Sequence, residues 1–117
     1  MTPIETLQGM RDLLTEPVHW TTGSRARNAR GEYVAPSHQN AVCWCIVGAY
    51  QKVSRELSDK DVYALFSNGL AGTYLQDAVN LQGRFANPWL FNDCTTHSQV
   101  IALIDSALVL AKKAANV

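Results

Sequence analysis

The chain has 117 residues, 47% of them hydrophobic and 17% charged, which is enough for one domain and far from the polar composition of a disordered chain. Ten basic residues balance ten acidic ones, so no global field draws the protein to nucleic acid or anionic lipid, and zero net charge permits a homo-oligomer. Three cysteines do not form a disulfide framework and fit a reducing, cytoplasmic compartment.

Thr2-Pro3-Ile4-Glu5 reads as a capping box with proline at the first helical position. The helix it opens buries Ile4, Leu7, Met10 and Leu14 and stops near Thr15, ahead of Pro17. From Trp20 to Pro36 the helical period is lost. Segments 22–27 and 32–35 flank Asn28-Ala29-Arg30-Gly31, which predicts a β-hairpin covered by Trp20, Tyr33 and Val34. The apolar run from Ala41 to Tyr50 is half the length of a membrane span, and its spacing predicts a central helix over 40–55 in which Gly48 lets another backbone approach.

Ser58-Asp59-Lys60-Asp61 predicts a further helix, stapled by Leu57 and Val62 and closed at Asn68-Gly69. A short helix over 73–81 follows, and residues 84–94 read as an irregular loop. Thr96-His97-Ser98-Gln99 is a second capping box, opening an amphipathic helix that ends near Lys112 and Lys113. The fold class is therefore mainly α: one domain over 1–117, a bundle of about five helices with one short two-stranded β-hairpin after the first.

Cys45, His97 and Asp93 are the residues from which a hydrolase or transferase would take a nucleophile, base and orienter. A predicted position six residues into a helix argues against it, because a buried thiol is inert. Zinc ligation by Cys43, Cys45 and Cys94 with His19, His38 or His97 fails on spacing, since residues two apart on a helix point about 200° from one another. No metal and no cofactor is expected.

Asn92 and Asp93 read either as helix capping or as a functional acidic pair. Arg25, Arg27 and Arg30, near Trp20 and Tyr33, form the local basic cluster of the hairpin. Arginine suits bidentate contact with a phosphate or an acidic partner, although a charged edge strand also guards against aggregation. A DNA-binding role is disfavoured by the charge balance and by the lack of a recognition helix rich in Arg, Lys, Asn and Gln.

Three blocks carry a resemblance to a known family. Trp20-Thr21-Thr22-Gly23 through Ala26-Arg27 to Gly31 and Val34 resembles W-T-x-G-x-x-A-R-x-x-x-G-x-x-V. Ala41-Val42 through Trp44-Cys45 to Gly48-Ala49 resembles A-V-x-W-C-x-x-G-A, and Asn92-Asp93 followed by Thr96 and Val100 resembles a block N-D…T-x-x-E-V, with Gln99 in place of Glu. These are similar to blocks of domain of unknown function 6197, found in small phage and bacterial proteins. The resemblance implies context, a cytosolic protein of phage or bacterial origin, and no activity.

The function expected from these residues is binding without catalysis. The partner is a host protein, as for a phage-encoded accessory or counter-defence factor, or a small phosphorylated ligand, held through Trp20, Arg25, Arg27, Arg30, Asn92 and Asp93.

Overall fold

A computed structural model describes residues 2–55, 66 and 71–116. The helix predicted to open at Ser58 lies outside the described residues. Both capping boxes form as the sequence requires. The Thr2 and Glu5 side chains exchange hydrogen bonds with each other's backbone N–H at the start of α1 (Pro3–Leu13), and Thr96 and Gln99 do the same at the start of α5 (His97–Ala115). Between them lie β1 (Ala26–Arg27), β2 (Cys43–Trp44), α2 (Ile46–Ser54), α3 (Ala71–Gln82) and α4 (Pro88–Cys94).

The expected mainly α bundle with a short hairpin is what the chain forms. Helix α5 lies against α1 and α3, α1 also packs on α2, and α4 bridges α2 and α3. Leu7, Met10, Leu14, Ile46, Leu75, Leu103 and Ile104 are fully buried between them. None of the described helices is long and apolar enough to cross a membrane.

The turn at 28–31 is closed by Gly31 N–H on the Asn28 carbonyl and Asn28 N–H on the Glu32 carbonyl, and a single bridge joins Arg27 to Tyr33. The antiparallel ladder itself runs between β1 and β2, with Ala26 opposite Trp44 and Arg27 opposite Cys43, so the second strand is 43–44 and not the 32–35 segment expected to pair with 22–27. Residues 40–45 are therefore not helical, a correction to the helix expected over 40–55. An unbroken apolar run fits a buried strand as well as a buried helix. Here its first part completes the sheet, where the Trp44 indole also donates to the Pro36 carbonyl at 2.9 Å.

A second correction concerns residues 84–94. Asn87 caps α4 by accepting from Leu90 N–H at 2.9 Å, with Pro88 at the first helical position. Residues 88–94 of the expected loop are thus helical.

Gly48 admits a neighbouring backbone as expected. A Cβ there would overlap the Arg25 carbonyl oxygen, the same oxygen that accepts from Cys45 N–H at 3.1 Å. Only glycine lets the first turn of α2 rest directly on the backbone that leads into β1.

Candidate functional site

Asn92 is fully buried on α4, and every polar atom of its side chain is used. Its Oδ1 accepts from Trp20 Nε1 at 2.8 Å and from Ile46 N–H at 3.0 Å. Its Nδ2 donates to the Thr21 carbonyl and to Asp93 Oδ1, both at 3.1 Å. One amide therefore ties the hairpin entry, the start of α2 and α4 together. It also satisfies a backbone donor that a helix leaves orphaned at its first turn.

The Asp93 carboxylate also accepts from Gly23 N–H at 3.2 Å, pinning the loop before β1 to α4. Asp93 thus takes no part in capping α5, a task performed by Thr96 and Gln99. The expected choice between capping and an acidic pair has a third answer: Asn92 and Asp93 bind two elements distant in sequence.

These bonds frame a cleft of about 310 Å³ whose walls come from the 23–25 loop, Tyr33, the first turn of α2 and α4. Arg25 lies on it, and so does Asp93. Trp89 forms an aromatic wall, held edge-to-face on Phe66 with ring centroids 5.6 Å apart. Tyr33, 57% exposed, stands at the mouth.

Cys45 reaches the cleft from below and caps α2, its Sγ accepting from Gly48 N–H at 3.4 Å. The expected interior helical position is thus replaced by the helix N-terminus, where a thiolate is ordinarily favoured. Burial nonetheless dominates and pushes this thiol up. The Gly48 and Val47 N–H groups act in the opposite sense, Asp93 adds to the rise and the Arg25 charge opposes it.

His97 does not join Cys45 and Asp93. Its Nε2 donates to the Leu14 carbonyl at 2.6 Å, and its ring packs edge-on against Trp20. A Cys–His–Asp relay is not assembled in this geometry. Trp20, with its indole on Asn92, supports the cleft from behind.

The three hairpin arginines go to different places. Arg27 folds back on its own loop, with Nε on Thr21 Oγ1, Nη2 on the Thr22 carbonyl and Nη1 on the Gly31 carbonyl. Arg30 is exposed on a separate depression beside Glu32 and Gln39. Only Arg25 lines the cleft. Among the described residues no group of three or more His, Cys, Asp or Glu side chains is placed to hold a metal ion.

Trp89 was not singled out from the sequence. The signal for it was Asn87-Pro88, a cap followed by proline, which predicts a helix carrying Trp89 and Asp93 on successive turns.

Neither the curated proteins nor the solved structures give a match to this chain. A family model does match over residues 1–109, a range that contains every residue of the cleft and the three sequence blocks noted above; the chain belongs to DUF6197, a family of unknown function.

Proposed function

We propose that this protein is a non-enzymatic binding protein whose ligand, bearing a phosphate or carboxylate, enters the cleft beside Arg25. The observation that carries this reading is convergence. Arg25, Tyr33, Trp89 and Asp93 come from three separate stretches of chain and meet on one cleft, beside which Asn92 and Asp93 tie α4 to Trp20, Thr21, Gly23 and the start of α2. Fixed polar groups beside aromatic walls are the usual make-up of a ligand site.

Arg25 also interacts within the fold, and the five donors of a guanidinium let it serve more than one acceptor. A phage-encoded accessory or counter-defence role fits the same site, with an acidic group of a host protein in place of the small ligand.

A thermal-shift screen of the full chain against nucleotides, sugar phosphates and carboxylates tests this. A ligand of the folded state raises the melting temperature, and Arg25→Gln is expected to abolish the shift. Shifts that survive Arg25→Gln unchanged would overturn the assignment.

One observation favours a second reading, a small hydrolase or transferase: Cys45 sits at a helix N-terminus on the cleft wall, with Asp93 on the same cleft. That reading requires a reactive thiol. Iodoacetamide mapping by mass spectrometry separates the two, since a Cys45 unmodified at neutral pH until denaturation is incompatible with a nucleophile.

A further inference from the structure

The cleft carries both signs of charge, and this narrows the ligand. Arg25 and Asp93 line the same cavity, and both act on the one thiol at its base, from opposite directions. A ligand bearing only negative charge would gain at Arg25 but face the Asp93 carboxylate across the same small space, where like charges disfavour one another. Asp93 is exposed and spends Oδ1 on Gly23 N–H and Asn92 Nδ2, while a carboxylate has about four acceptor sites in all.

The apolar part of the wall is aromatic. Trp89 is fixed on Phe66 and Tyr33 stands at the mouth, an arrangement that suits a planar ring and also attracts an ammonium group. A volume of about 310 Å³ sits at the small end of the range for ligand cavities. The first turn of α2 is not the anion site, because its N–H groups at Ile46 and Gly48 are already taken by Asn92 and Cys45.

We infer that the ligand is a small zwitterion built on a planar ring, with its ammonium group on Asp93 and its carboxylate or phosphate on Arg25. This rests on the binding reading above and adds the ammonium and the ring to it.

Calorimetric titration of the full chain with four ring-bearing probes tests the inference: L-tryptophan, tyramine O-phosphate, tryptamine and indole-3-propionate. The first two are zwitterions with a carboxylate and a phosphate, and the better of them identifies the anionic group. At least one is expected to bind tenfold or more tightly than both tryptamine and indole-3-propionate.

Asp93→Asn, which keeps an oxygen for Gly23 N–H, is expected to erase that advantage and leave indole-3-propionate binding unchanged or stronger. Tyr33→Ala, at a largely exposed position that tolerates truncation, should weaken both zwitterions by about three- to tenfold. Indole-3-propionate binding wild type as tightly as L-tryptophan, with loss on Arg25→Gln, overturns the zwitterion and leaves the binding reading standing. Absence of binding by both zwitterions at millimolar concentration also overturns it. Absence for all four probes, together with no anion in the thermal-shift screen, overturns both.

Discussion

Replacing Asn92 with alanine should be among the most damaging single changes available to this fold. The side chain is fully buried, and its loss strands two donors, Trp20 Nε1 and Ile46 N–H, that it accepts at 2.8 and 3.0 Å. A buried donor left unsatisfied costs about 1–3 kcal/mol; with Ile46 N–H buried and the Trp20 indole half-buried, the variant should lose roughly 2–4 kcal/mol, a large share of the ~5–15 kcal/mol that stabilises a domain. In a domain of this size that corresponds to a fall in Tm of about 10–20 °C. Urea unfolding followed by far-UV circular dichroism gives the free energy directly.

The isosteric Asn92→Asp separates hydrogen bonding from shape. It keeps the oxygen that accepts from Trp20 and Ile46 but sets a second carboxylate oxygen against the Thr21 carbonyl and Asp93, where Nδ2 now donates. A buried carboxyl in that position has its folded pKa raised above the unfolded value of about 3.9. Its neutral form is then favoured by folding, so the penalty relative to wild type is absent below the unfolded pKa and grows as pH rises toward the folded one. The deficit at pH 7 should therefore shrink toward pH 4. A loss under about 1 kcal/mol for Asn92→Ala, or an Asn92→Asp deficit that does not narrow in acid, would show that these bonds do not hold the three elements together.

Other expectations follow from single contacts. Gly48→Ala should prevent accumulation of folded protein, because its Cβ would overlap the Arg25 carbonyl oxygen, whereas Gly31→Ala meets only the strain of a φ of +79° with open space around it and should cost about 1–2 kcal/mol in urea unfolding. Cys45→Ser retains a cap for Gly48 N–H, whereas Cys45→Ala removes it and should lower stability by about 1 kcal/mol relative to serine. Gln51 is 2% exposed with Oε1 lacking a partner among the described residues, so Gln51→Met should raise stability by roughly 1 kcal/mol. At the start of α1 the backbone and hydroxyl of Thr2 hold the Glu5 carboxyl below its usual value. That support is present above the ordinary carboxylate pKa and is lost as pH falls through the lowered one, which amide exchange at the first turn of α1 will register.

The helices were legible where local chemistry decides them. Thr2 with Glu5 and Thr96 with Gln99 are reciprocal bonds within one turn, and no distant residue is needed to predict them. The 28–31 turn was legible for the same reason. Residues 41–45 were not, because their identity as strand and cap depends on Ala26 and Arg27 lying alongside, and a run of apolar residues carries no period that excludes either structure. The same ambiguity sets Cys45 inside a helix by sequence, whereas it caps one.

The site was half legible. Asp93 and Arg25 are marked by type and setting, yet nothing local indicates that Arg27 is spent on the Thr22 and Gly31 carbonyls. Nor does any local feature show that Asn92 satisfies α2 from 46 residues away. Such assignments come from tertiary contacts, and no spacing rule encodes them.

The most direct test of the cleft as the binding site is amide chemical-shift mapping by ¹H–¹⁵N NMR, with L-tryptophan, tyramine O-phosphate and indole-3-propionate titrated into the full chain. Saturable shifts centred on Gly23, Ser24, Arg25, Cys45, Val47, Trp89 and Asp93 are expected. Shifts centred instead on the apolar groove formed by Pro3, Ile4, Tyr74 and Ala111, or none that saturates with any of the three, would contradict that assignment of the cleft.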